Sequence, residues 1–220
     1  MKNLISKFAA IPLLYLIAGT LSFQKQPNFI YQSRVSKSTF LNFSPNKALN
    51  DQKLKLVEIV AQNKGKRKNE VSEGTDEIEA IIKNLESKNK KFDEKMIDGQ
   101  WMLIFIKETK KSDSAQQLLL RERSFGNFDI SRKEAYTIQP IIGKKVQALV
   151  DLSYEIDGRR INIVITKALI KLGQILIPLP FKGRKGFLDV LFIDEDMRIT
   201  KGNQGGIFVH VRPDRYKILQ

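Results

Sequence analysis

The sequence predicts a mainly β protein, an antiparallel β-barrel preceded by two short α-helices. Three observations predict it. Apolar residues recur at helical spacing only ahead of Asp98, with Ile78, Ile81, Ile82 and Leu85 at i, i+3, i+4 and i+7. From Trp101 onward they alternate with polar residues or run continuously in short segments. Asp157-Gly158 then joins two alternating segments as a two-residue hairpin turn, glycine tolerating the positive φ of type I′.

The elements follow in order. Residues 51–62 read as a helix with Leu54, Val57 and Ala61 on one face and Leu56, Ile59 and Val60 beside them. Asn63-Lys64-Gly65 ends it, glycine supplying the left-handed cap. Thr75 is a good N-cap for the second helix, and Asp76 and Glu77 sit where the dipole favours acids. That helix runs out in the polar residues 87–91. Residues 101–106 form a continuous apolar run, as expected of a strand buried on both faces. Residues 112–121 read as a linker. Val146, Ala148, Val150, Leu152, Tyr154 and Ile156 alternate with mostly polar neighbours, and Ile161, Ile163 and Ile165 do so on the return strand. Residues 187–193, 197–201 and 207–211 complete the strands. A meander of about eight such strands must close or stack to hide its edges, and closed it is just wide enough for one small ligand.

Composition narrows the chemistry. The 220 residues contain no cysteine, which excludes disulfides, thiolate metal sites and cysteine nucleophiles. His210 is the one histidine, so a histidine metal cluster is excluded too. The net charge of +14 is uneven. Of the 38 basic residues, six (Lys2, Lys7, Lys25, Arg34, Lys37 and Lys47) lie in residues 1–50, which carry no acid. The other 32 face all 24 acidic residues, a moderate net of +8 that favours anionic surfaces.

Several residue groups invite a chemical reading and most decline it. Asp194, Glu195 and Asp196 are adjacent in a turn, so their side chains point different ways and a solvated turn is expected rather than a metal or acid–base cluster. Gly202, Gly205 and Gly206 lack the strand–loop–helix context of a phosphate loop and read as a hairpin or bulge. His210 has parity opposite to Val209 and Val211, which suggests an edge or outward position. The basic clusters at Lys64, Lys66, Arg67 and Lys68 and at Lys88, Lys90 and Lys91 lack the interleaved aromatics of a nucleic-acid surface. Residues 168–180 admit two readings. Leu172, Ile175, Leu176 and Ile177 followed by Lys182, Arg184 and Lys185 suit a lipid- or membrane-touching loop. The same residues also suit a buried strand ending at Ile177-Pro178.

Residues 186–209 carry a resemblance. Gly186-Phe187-Leu188-Asp189-Val190-Leu191-Phe192-Ile193, the Asp194-Glu195-Asp196 turn, Met197-Arg198-Ile199, the Lys201-Gly202-Asn203 loop and the final Phe208-Val209 are similar to the end of the plastid lipid-associated (fibrillin) family. Lys201 stands where that family usually has Arg, and Phe192 where it has Tyr. At the front, Lys64-Gly65 resembles the end of the family's first helix, and Gly99-Gln100-Trp101-Met102-Leu103 resembles its Gly-x-Trp-x-Leu strand, with Phe105-Ile106 in place of the usual Tyr-Thr. The resemblance covers roughly residues 53–212.

It implies a lipocalin-like antiparallel barrel and a non-enzymatic protein that binds or coats apolar lipids such as carotenoids, quinones, or plastoglobule or thylakoid lipids. It calls for no catalytic residue, cofactor or metal, and for no nucleic acid. By analogy with lipocalins, Trp101 plugs one barrel end with Arg198 stacked over it, Gly99 and Gly202 lying in the same closure motifs. The alternative is a plastid assembly or interaction factor that uses the barrel surface and holds no ligand. A lipid-modifying enzyme would need a polar constellation inside the barrel, and none can be assembled from the sequence. The expected organisation is a signal-peptide-like segment at 1–22, a transit-peptide-like segment at 23–50, helices at 51–98 and the barrel at 99–220, with 51–220 one domain. The apolar run 9–21 has the length of a signal-peptide core, and the Ser-rich, acid-free stretch after Phe23 resembles the second part of a secondary-plastid leader. A retained N-terminal anchor kinked at Pro12, or a one-part transit peptide, are the other readings.

Overall fold

The computed structural model describes residues 47–62, 75–89, 92–107, 124–142 and 145–215. Nearly all of the two leader segments, the linker at 112–121 and the basic residues at 64–68 and 90–91 lie outside the described residues.

Among the described residues two helices come first, α1 (Lys47–Gln62) and α2 (Thr75–Lys88), then a 3-10 turn at Glu94–Ile97. Helix α1 starts inside the segment expected to be transit peptide. Nine strands follow among the described residues: β1 (Gly99–Lys107), β2 (Phe125–Asp129), β3 (Glu134–Ile142), β4 (Val146–Asp157), β5 (Arg160–Leu172), β6 (Ile175–Pro178), β7 (Lys185–Ile193), β8 (Met197–Gly202) and β9 (Ile207–Val211). The order β4-β3-β2-β1-β9-β8-β7-β5, with β5 pairing back onto β4, closes eight antiparallel strands into a barrel. Strand β6 stands outside the ring. The early part of β5 pairs with β7 (Val164 with Lys185), and its late part pairs with β6 (Ile170 with Ile177), so β6 extends the wall where β7 has not yet begun.

Two apolar cores result. Trp101, Leu103, Ile106, Phe128, Val150, Ile163, Val190 and Phe208 belong to the cluster on the inner face of the barrel. Met102, Phe192, Ile199 and Val209 point outward and are covered by Leu56, Val57, Ile78 and Leu85 of the helices. This is why β1 reads as a strand buried on both faces: the helices supply its second cover. Bulges keep the inward face apolar where the alternation slips. On β5 the register shifts opposite Asp151-Leu152, so Ile161, Ile163 and Ile165 face in before it and Ala168 and Ile170 face in after it.

The buried stripe of α1 is Lys53, Leu56, Val57 and Val60, and Leu54 is exposed. The expected face through Leu54, Val57 and Ala61 is therefore rotated: Val57 is buried with its neighbours Leu56 and Val60, and Leu54 is not. Lys53 sits in the buried stripe because its ammonium reaches Asp194 (2.7 Å) and Asp196 (3.2 Å). The Asp-Glu-Asp turn is thus only half-solvated. Asp194 also accepts the backbone N–H groups of Asp196 and Met197, which ties the β7–β8 turn to α1. The β4–β5 hairpin has Gly158-Arg159 as its two loop residues, flanked by paired Asp157 and Arg160. Gly158 has φ 57, and among the described residues Lys133 alone is a non-glycine with positive φ, so the turn suits the glycine-first type II′ rather than type I′.

Candidate functional site

Trp101 marks one end of the barrel. Its ring is fully buried, and its indole N–H donates to the carbonyl of Ile97 at 2.8 Å, the last residue of the 3-10 turn. Two guanidinium groups lie against it. Arg212, just after β9, has its Cζ 3.7 Å from the ring centroid. Its Nη1 donates to the carbonyls of Asp98 (2.7 Å) and Gln100 (3.1 Å) and its Nη2 to that of Met96 (3.0 Å). Arg212 therefore clasps the chain that crosses this end. Gly99 makes room for it: a Cβ there would stand 3.1 Å from Arg212 Nη1, at φ +83. Sequence reasoning passed over Arg212, although its basic type one residue beyond the last strand was the available signal.

Arg198 is placed differently. Its Cζ lies 5.0 Å from the Trp101 centroid and 4.6 Å from that of Phe128. It points into the barrel, since its ladder partner Ile193 belongs to the interior cluster while Met197 and Ile199 face the helices. Only 1% of it is exposed. Among the described residues Arg198 has no ion pair, and its Nε and Nη1 have no hydrogen-bond partner. Burial, helped by Arg212, lowers its pKa to about 9, which leaves it cationic at neutral pH. Tyr154 packs edge-on against the same Phe128 at 5.4 Å, with a buried hydroxyl that lacks a partner among the described residues. Burial raises that phenol to about 12, with Asp98, Asp129 and Glu94 adding to the shift. The hydroxyls of Thr137 and Thr200 are buried and unpartnered in the same sense. They face inward beside Val150 and Phe208. His210 also faces inward, at 1% exposure, opposite Arg198 in the ladder, which corrects the edge or outward position expected for it. Several polar side chains therefore face the barrel interior, contributed by strands far apart in the chain.

Gly202 ends β8, and its N–H donates to the carbonyl of Gly206 at 2.9 Å; the glycine loop is the β8–β9 hairpin. It lies away from Trp101, pairing with Leu188 across the ladder.

The opposite end carries the other candidate residues. Strand β3 runs from Ala135, in register with Phe128, to Ile142; Ile142 pairs with Val146, Val146 with Leu172, and Leu172 with Ile175. The β5–β6 hairpin is therefore a lip at the end remote from Trp101. Leu172 (41% exposed), Ile175 (61%), Leu176 (42%) and Ile177 (40%) are four of the six exposed large hydrophobics among the described residues. This overturns the reading of a buried strand. Leu172, Ile175 and Ile177 share the face of buried Ile170, so the apolar interior continues onto the lip; Leu176 pairs with Lys171 on the outer face. Lys182, Arg184 and Lys185 are exposed in and after the turn that follows, and the Gly183 N–H and Arg184 carbonyl anchor that turn to Ile165. Among the described residues no helix is long and apolar enough to cross a membrane, and no three acidic or histidine side chains gather closely enough to hold a metal ion.

The chain is thus a helix-covered, closed eight-stranded β-barrel with a sealed end and an apolar lip. The PAP_fibrillin family model matches residues 159–211, from the start of β5 to the end of β9, and the resemblance read in the tail is borne out there. The chain is 25% identical over 197 residues to a protein of Arabidopsis thaliana described as "Probable plastid-lipid-associated protein 12, chloroplastic"; the match covers 79% of this chain and 47% of that protein. The chain therefore spans about half the length of that relative. No solved structure matches it.

Proposed function

We propose that this protein is a non-enzymatic plastid protein that associates with apolar lipid, meeting a lipid surface with the β5–β6 lip. The observation that carries the reading is the lip itself. Solvated β-hairpins normally present polar residues, whereas this one exposes Leu172, Ile175, Leu176 and Ile177 together. Exposed Lys182, Arg184 and Lys185 flank it, as suits insertion among anionic headgroups. The PAP_fibrillin match and the name of the Arabidopsis relative support a plastid and lipid setting. Within the plastid, plastoglobule and thylakoid surfaces are the places such a lip would serve, and residues 51–220 would act there as one domain.

The test places tryptophan on the lip of the full chain, as Ile175→Trp, and adds anionic phosphatidylglycerol vesicles with brominated acyl chains. Quenching at position 175, with Trp101 of the parent chain unquenched, is the expected result. A chain that floats with vesicles but shows no quenching at 175 makes its contact elsewhere and removes the lip from the proposal. A chain that does not float at all overturns lipid association and favours the assembly-factor reading.

A further inference from the structure

We infer that the barrel holds the carboxylate head of a single-chain lipid, a long-chain fatty acid, on Arg198 and Tyr154, with its tail running toward the lip. This deepens the lipid reading above and rests on it.

The first ground is an uncompensated charge. A guanidinium taken out of water is costly unless it is paired and hydrogen-bonded. Arg198 is 1% exposed, it lies against the rings of Trp101 and Phe128, and its Nε and Nη1 have no acceptor among the described residues. Arg212 nearby adds a second positive charge rather than a compensating one. Ring faces recover part of the lost hydration, and an anion would recover far more.

The second ground is the company Arg198 keeps. The Tyr154 hydroxyl is buried, lacks a partner, and interacts electrostatically with Arg198. Both side chains pack on Phe128. A planar guanidinium fork beside a phenolic O–H suits a carboxylate, which accepts from both. Buried polar groups without partners are uncommon in folded chains, and here two of them belong to side chains that share Phe128.

The third ground is the wall. Between this end and the lip the interior is lined by Leu103, Ile106, Val150, Ile165 and Ile170, which offer nothing to a polar group and suit an acyl chain. The same inward face runs out over Leu172, Ile175 and Ile177, so apolar side chains continue from the lip along the strands toward the Trp101 end. The polar head is thus received at the sealed end and the tail trails toward the lip.

The single tryptophan reports directly. Cis-parinaric acid, a fluorescent fatty acid, is titrated into the full chain and energy transfer from Trp101 is followed; its methyl ester is the uncharged control. The acid is expected to bind at least about tenfold more tightly than the ester, the scale of one charge-assisted interaction. Arg198→Met should abolish that preference and Tyr154→Phe, which keeps the ring, should reduce it. Equal binding of acid and ester, or a preference that survives Arg198→Met, overturns the head anchor and leaves apolar-lipid binding standing. No transfer from either probe overturns the internal site, and vesicle quenching at position 175 then decides separately whether the lip reading stands.

Discussion

Arg212 lies 3.7 Å above the ring of Trp101 while its two terminal nitrogens hold three carbonyls of the segment that enters β1. Floor, first strand and last strand are thereby joined by one side chain. Gly99 permits the approach, having neither a Cβ in the way nor a penalty for φ +83.

Arg212→Ala is accordingly expected to lower unfolding free energy by about 2–3 kcal/mol, from the carbonyls left without a donor and the lost ring contact. Gly99→Ala should cost a comparable amount, about 1–3 kcal/mol, through backbone strain and the crowded guanidinium. Urea denaturation measures both. A loss below about 0.5 kcal/mol for either, the range of an ordinary surface change, would remove the clasp from the account.

Arg198 should behave in the opposite way in the ligand-free protein. Replacing a buried, unpaired cation with an apolar side chain of similar length is often neutral or stabilising. Arg198→Met is expected to leave the midpoint of urea denaturation unchanged or raised. A clear destabilisation would show that its contacts with Trp101 and Phe128 outweigh its desolvation, making Arg198 a structural member of the floor.

Asp151 gives a pH signature. Desolvation raises its carboxyl to about 6 from 3.8, with Lys167 opposing and Glu134 assisting. The folded chain therefore binds this proton more readily than the unfolded chain, and stability falls as pH rises from about 3.8 to about 6. At pH 7 the charged Asp151 weakens the fold. Asp151→Asn should stabilise the protein at pH 7, with the advantage shrinking toward pH 4. A benefit that stays constant across that window would place its origin in something other than this titration.

Much of the scaffold was legible along the chain. The stripe Ile78, Ile81, Ile82 and Leu85 and the alternation from Val146 to Ile156 are local periodicities, and a local period needs no knowledge of partners. The face of α1 was misread because Lys53 belongs to its buried stripe, and a lysine is buried there only because Asp194 and Asp196, some 140 residues away, receive it. The inward turn of His210 and the bulge on β5 were hidden for a related reason: which face is inside depends on where the sheet closes.

The candidate site shows the same division. By itself the sequence determined that helices precede strands, that a hairpin lies at Gly158, and that 172–177 is an apolar run, because each follows from residue type and spacing over a few positions. Only the tertiary structure decided that Arg212 clasps Trp101, that Arg198 and Tyr154 meet at Phe128 inside the barrel, and that β6 is an exposed lip. These are relations between strands joined by closure of the ring, and burial, charge and exposure are set by what that closure brings together.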